Sequence, residues 1–201
     1  VVWKETLLGP LLALAMACQG VFLLHASAVL SSDGRLVAFV GPSGTGKSTL
    51  ARLVSTSRGS SDWTLVADDA LAVDASGSSC QALVRFPQLK LEEDEQPGPR
   101  LPERLKLDAL FRLATPSSDA LARAVRCQAL APRDGAAVLL SHTIGSRLFC
   151  RAHMAEHLGA MSDAAERLRT YDLNYPRVPS VGVEVAELIN TRVASDLEEA
   201  G

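Results

Sequence analysis

The stretch GPSGTGKSTL, residues 41 to 50, meets the spacing G-x-x-x-x-G-K-[ST] with Gly41, Gly46, Lys47 and Ser48. Each of these residue types answers a negative charge. The glycines let the backbone curl so that its N–H groups converge on phosphate oxygens, and a following helix adds its positive N-terminal end. Lys47 is then in reach of the β and γ phosphates, and the Ser48 hydroxyl is a ligand for Mg²⁺. The run Gly41, Pro42, Ser43, Gly44, Thr45, Gly46, Lys47, Ser48 and Thr49 is therefore the expected nucleotide site, with ATP and Mg²⁺ as its occupants. With average glycine usage, the pattern arises by chance in a chain of this length with odds on the order of one per cent. Lysine stands only at Lys4, Lys47, Lys90 and Lys106, the other basic residues being arginine, which sets Lys47 apart from background.

Two further features carry chemistry. In LVADDA, 65 to 70, an apolar run ends in adjacent carboxylates, about 20 residues after the loop. Neighbours on a strand face opposite ways, so Asp68 and Asp69 are suited to two roles, a metal ligand and a base. The plainer reading has one aspartate capping the turn and the other solvated. His25 interrupts the apolar VFLLHASAVL, 21 to 30. It is either a hydrogen-bonded core residue or, if its strand lies beside the loop, a partner for a carboxylate or phosphate. His153 and His157 are four apart, without an evident third ligand, and read as surface residues; His142 is a weaker candidate.

The elements that must position these groups follow from hydrophobic patterning. Residues 1–19 carry an apolar helix closed by Gln19-Gly20, and 21–30 form one buried strand or two short ones. SSDG turns the chain into the strand RLVAFV, which feeds the loop, and KSTLARLVSTS is the helix leaving it. A Gly/Ser-rich loop precedes the strand TLVA, 64–67. Residues 87–104, rich in proline and acid, read as a long surface loop. PRDG reads as a turn into a core strand AAVLLS, 136–141. Helices are expected at 155–169 and 181–199, separated by TYDLNYPRVPS, a short strand whose prolines suit a sheet edge.

The bulk numbers narrow the partners. A chain of 201 residues is long enough for one sizeable core, and 1–201 reads as a single domain. A net charge of −3 supplies no field for nucleic acid or an anionic membrane, and no run of 18 apolar residues suggests a span. The run LLGPLLALAMAC is expected to be a buried helix, not a signal sequence: Lys4 stands beside Glu5, the run holds Pro10, and cleavage at Cys18 would part the phosphate loop from its ATP. Cys18, Cys80, Cys127 and Cys150 lack metal-ligand spacing and read as free, buried thiols of a reducing cytoplasm.

The order LLHASAV, then GRLVAFVGPSGTGKSTLARLV, then LVADDALAV resembles the HPr kinase/phosphorylase family and its shorter relatives, over about residues 20 to 75. The FPQLKL segment and the LNYP strand are also similar to those shorter relatives, and SGTGKST is similar to the nucleotide core of phosphoenolpyruvate carboxykinase. The resemblance implies an α/β phosphate-loop domain with a mixed central sheet flanked by helices. It implies that Lys47 and the loop hold the phosphates, that Ser48 and Asp68 serve the metal, that Asp69 is the base accepting a serine-type hydroxyl proton, and that His25 is its active-site partner. The glutamate-bearing metal signature and C-terminal phosphorylase motif of the full HPr kinases are absent, so the implied acceptor is a hydroxyl on another peptide, protein or small molecule. Two rival readings stay open: a catalytically silent nucleotide-binding regulator or scaffold, and another phosphate-loop small-molecule kinase. The full HPr kinases form hexamers, and here the apolar N-terminal helix offers a surface for self-association.

Overall fold

The computed structural model describes residues 11–57, 62–88, 101–113 and 124–199, the side chains of the last helix up to Ala194. The first ten residues, most of the Gly/Ser-rich loop and most of the 87–104 excursion lie outside the described residues. The strands are β1 (Val21–Leu24), β2 (Ala26–Ser31), β3 (Leu36–Val40), β4 (Trp63–Ala67), β5 (Leu71–Asp74), β6 (Gln81–Leu83), β7 (Arg104–Leu113), β8 (Arg126–Ala129) and β9 (Arg169–Asn174). The helices are α1 (Leu12–Ala17), α2 (Lys47–Thr56), α3 (Pro132–Ser141), α4 (Arg151–Arg167) and α5 (Val181–Glu199).

The long strand β7 joins two sheets. Its first residues pair antiparallel with β6, which continues through β5 to β1. Its later residues lie parallel to both β3 and β9, giving the main sheet the order β8-β9-β7-β3-β2-β4, with β8, β2 and β4 antiparallel to their neighbours. The expected mixed sheet flanked by helices is thus present.

Helices cover both faces of the main sheet, which is why β3 at its centre is apolar at every position and not at alternate ones. On β3, Val37 and Phe39 pack with Leu50 and Val54 of α2 and Val185 and Ile189 of α5. Leu36, Ala38 and Val40 point to the other face, against Val138 and Leu139 of α3 and Met161 and Ala164 of α4. Burial of each such large side chain contributes about 1.5–3 kcal/mol. The two helices on the first face touch at Gly182, where a Cβ would come within 2.4 Å of the Leu53 carbonyl oxygen, so only glycine lets α5 approach α2 this closely.

Several expectations are corrected. AAVLLS is not a strand: it belongs to α3, which PRDG opens with Pro132 in its first turn and Asp134 near the positive end of the helix. Its buried positions are Gly135, Ala136, Val138 and Leu139, with Ala137 exposed, a helical stripe that five apolar letters in a row conceal. β9 is not an edge strand, since β7 and β8 flank it, and Pro176 and Pro179 fall beyond its end. VFLLHASAVL splits into two strands at His25, and α4 begins at Arg151, earlier than expected. All four cysteines are free, but only Cys80 is buried, and burial pushes its thiol pKa up; Cys18 and Cys150 are exposed. His157 is buried, not on the surface. Among the described residues no helix is long and apolar enough to cross a membrane.

Candidate active site

Six chain segments bring their ends to one rim of the main sheet. The parallel strands β3, β7 and β9 finish there at Val40, Leu113 and Asn174. Antiparallel β2 starts there, since Ala26 is opposite Val40; β4 ends there, since Ala67 is opposite Ala28; and β8 starts there, Arg126 facing Asn174. The carboxyl ends of parallel strands are where open α/β sheets hold ligands, because loops diverge there and leave a crevice. Gly41–Gly46, His25 and Asp68–Asp69 all sit on this rim.

The loop joins β3 to α2 with Gly46 as the residue before the helix, at φ 87°. A Cβ there would lie 2.9 Å from Nη1 of Arg177, a movable side-chain tip, so it is the backbone sign that requires glycine. Lys47 is buried, and its ammonium donates to the carbonyls of Gly41 at 2.9 Å and Pro42 at 3.3 Å. Thr45 is buried and donates back to the Pro42 carbonyl, while Pro42, Ser43, Gly44 and Thr49 are exposed and Ser48 is half-buried.

The two aspartates lie in different surroundings. Asp68 is buried; its Oδ1 accepts from the Ser27 hydroxyl at 2.9 Å, and its Oδ2 is 3.8 Å from Nη2 of Arg52 on α2. Its own N–H donates to the Gln88 side chain, whose amide donates in turn to the carbonyls of Ala70 and Phe86 and so ties down the turn after β4. Asp69 has a φ of 82°, the one positive value at a non-glycine position among the described residues. Asp and Asn are the L-residues that best tolerate this region. There the Asp69 carboxylate is 42% exposed, with its Oδ1 3.2 Å from Nε2 of His25.

His25 is held by its backbone, its N–H donating to the His142 carbonyl at 2.8 Å. That segment is anchored in turn by His157 of α4, whose Nε2 lies 3.1 Å from the Thr143 hydroxyl. Thr143 donates to the Leu139 carbonyl, so its oxygen accepts from His157 and the bonded ring nitrogen carries the proton. The rings of Phe22 and Phe149 pack against His157, and burial lowers its pKa.

Two openings flank the loop. A cleft of about 1270 Å³ is lined on one side by His25, Gly41 and Pro42, and continues past Arg112, His142 and Asp172. Arg112 and Asp172 are register partners on β7 and β9 and form a two-point pair at 2.5 and 2.6 Å. Burial, with Lys47, His25 and Arg112 nearby, pushes His142 down to about 4, so it is neutral at physiological pH. On the loop's other side, a pocket of about 380 Å³ lies between Thr49 and Leu53 of α2 and the segment from Tyr175 to Val181. The Arg177 guanidinium sits 4.1 Å over the Tyr175 ring and donates to the Thr45 carbonyl and the Tyr175 hydroxyl.

The predicted site residues therefore share one rim, with His25 and Asp69 in contact. Sequence reasoning missed Arg112 with Asp172, Arg177 with Tyr175, and the placing of His142 in the cleft. Only TYDLNYPRVPS, carrying Asp172, Tyr175 and Arg177 in one short segment, offered a local signal. Among the described residues no three His, Cys, Asp or Glu side chains cluster to hold a metal by themselves.

No known family model matches the chain, and no curated protein matches it. Among solved structures it is similar to the HPr(Ser) kinase/phosphatase from Coxiella burnetii, at 13% identity and a TM-score of 0.42, over 89% of this chain and 99% of that one.

Proposed function

We propose that the chain is an ATP-dependent, HPr-kinase-like kinase that transfers the γ-phosphate to a serine-type hydroxyl. The observation carrying this reading is the 3.2 Å contact of His25 Nε2 with Asp69 Oδ1 on the rim that also bears the glycine-rich loop. The loop backbone, the N-terminal end of α2 and Lys47 bind the triphosphate. The nucleoside leaves the loop past Thr49 into the apolar pocket beside Leu53, and the acceptor enters by the wide cleft, where His25 faces it. Asp69 takes the proton as the acceptor O–H bond breaks; the oxygen bonds the γ-phosphorus as the bond to the departing ADP oxygen breaks. His25 donates to the Asp69 carboxylate and holds it in one orientation. Asp68 stays fixed by Ser27, apart from the proton transfer.

The donor set suits Mg²⁺, a hard cation that takes a few protein oxygens and fills its remaining positions with phosphate and water. Ser48 and Asp68 would be the oxygen donors for it, and bound there it would neutralise charge on the β and γ phosphates. A cleft of about 1270 Å³ exceeds the ~300–1,000 Å³ usual for small ligands, which favours a peptide or protein acceptor over a metabolite.

Asp69→Asn tests the reading, because asparagine also accepts the positive φ and leaves the backbone unchanged. Transfer from γ-labelled ATP to serine peptides is expected to fall by about 10²–10⁴, with mant-ATP affinity within about twofold of wild type. A wild type that binds ATP and phosphorylates nothing replaces this reading with that of a silent regulator; unchanged ATP affinity in Lys47→Ala removes nucleotide binding itself.

A further inference from the structure

Among the described residues the charges lining the wide cleft do not balance. Of these, three arginines, Arg112, Arg126 and Arg192, line it together with one carboxylate, that of Asp172. Arg112 consumes that carboxylate in the two-point pair. Arg126 on β8 and Arg192 on α5 are exposed, and among the described residues neither has a side-chain hydrogen bond or an ion pair. His142 is neutral there. Two uncompensated guanidiniums thus face one cleft in a chain whose net charge is −3. Guanidinium presents a planar fork of N–H donors that matches carboxylates in pairs of bonds.

Resting on the kinase reading above, the geometry points to an acidic peptide segment as the acceptor, and we propose that its Asp or Glu side chains pair with Arg126 and Arg192 while its hydroxyl reaches Asp69. The sheet supplies a ruler. From the start of β2, where His25 meets Asp69, to the start of β8 there are four strand steps, through β3, β7 and β9. At ~4.8 Å a step this is about 19 Å, and an extended chain covers it in about five to six residues at ~3.4 Å each. The acidic positions therefore stand about five to six residues from the phosphorylated hydroxyl. The triphosphate is the competing anion for these arginines, and the experiment separates the two.

Three fluorescein-labelled decapeptides of Gly and Ala, each with a single serine, carry two aspartates, two lysines or neither at five and six residues from it. Anisotropy reads their binding to the full chain, γ-labelled ATP reads their phosphorylation, and mant-ATP reads the nucleotide. The acidic peptide is expected to bind at least about tenfold tighter than the neutral one, to lose that advantage in raised salt, and to have the lower KM. R126E/R192E is expected to invert the preference towards the lysine peptide, and R126A/R192A to abolish it. Equal binding of all three peptides by wild type overturns the proposal, as does a double reversal that weakens mant-ATP tenfold and leaves the peptides unchanged. Selective binding of the acidic peptide without phosphate transfer sustains the acidic docking site and overturns the kinase reading instead.

Discussion

The loop 41–46 has two sides built from different material. On the narrow side everything is close in sequence to one of two segments: Gly44 to Leu53, and Tyr175 to Val181. A helix and a proline-bearing strap make a small apolar slot. On the wide side the lining comes from the ends of β3, β7 and β9, the start of β8, the segment before β2, and helices α3 and α5. It is large, polar and rich in arginine. The difference matches the two things the proposed kinase would have to hold. A nucleotide has one fixed shape, and a slot formed by two segments is enough to grip a flat apolar base. An acceptor differs from one kinase to the next, and a surface drawn from many strand ends can vary without disturbing the loop.

The loop common to both sides hangs from β3, so the harshest way to break the comparison is to weaken that strand. Phe39 is fully buried beneath the loop strand, its ring 6.1 Å from that of Phe111. Phe39→Ala is expected to cost about 3–5 kcal/mol, read as a lower denaturant midpoint with unchanged slope. If the two sides are separate sites supported by one strand, mant-ATP and acidic-peptide binding fall together as the folded fraction falls; loss of one alone would mean that the sides rest on different supports.

A change confined to the narrow side is the next largest. Leu53→Arg puts a long cation into the slot beside Thr49. ATP affinity is expected to fall about tenfold, equivalent to about 1.4 kcal/mol, with inhibition by inorganic tripolyphosphate and binding of the acidic peptide retained. Equal loss of tripolyphosphate would show that the phosphates, not the base, had been displaced.

Acid is a probe of the wide side. His142 titrates at about 4 in the folded protein against an ordinary 6.5, and burial lowers His157 too. Between these values the unfolded chain binds protons that the folded chain refuses, so stability falls as pH drops from 6.5 towards 4. The carboxylates with lowered pKa, Asp33 and Asp74, act in a separate window, below the ordinary aspartate value of 3.8. Tm scans are expected to slope through the upper window, and His142→Gln to flatten part of that slope. A flat wild-type Tm from pH 6.5 to 4.5 would show that neither histidine is desolvated as described.

What could be read from the letters divides along the same line. The loop, the carboxylate pair and the histidine in VFLLHASAVL are local patterns, and the structure gathers them on one rim. Arg112 and Asp172 lie 60 residues apart and meet only because β7 and β9 pair in parallel at one register, which no local pattern encodes. Arg126 and Arg192 look like any surface arginines until β8 and α5 are placed beside the loop. His157 was expected on the surface because its i,i+4 spacing from His153 says which face of α4 it shares but not what covers that face; Phe22 and Thr143, from far upstream and from the turn after α3, do. AAVLLS misled for a simpler reason: a short apolar run has no period, and the information lay in Pro132 and Asp134 before it.

The gentlest test adjusts charge on the wide side without touching its shape. Both members of the Arg112–Asp172 pair are part exposed, at 40% and 37%, so screening by water limits its contribution to stability to about 0–1 kcal/mol. Asp172→Asn should therefore shift the denaturant midpoint little. It also removes the one carboxylate that lines the cleft among the described residues and breaks the two-point pair of Arg112, leaving it only the nearby charge of Asp134, so three guanidiniums face the acceptor in place of two. An ion pair of this exposure changes binding by about a factor of two to five, and the acidic peptide should bind that much tighter, with a steeper salt dependence, while mant-ATP is unaffected. An acidic peptide that binds no better would mean that Arg112 points its charge at Asp172 for structure alone. An ATP affinity that rises instead would move the triphosphate into the wide cleft and erase the distinction between the two sides.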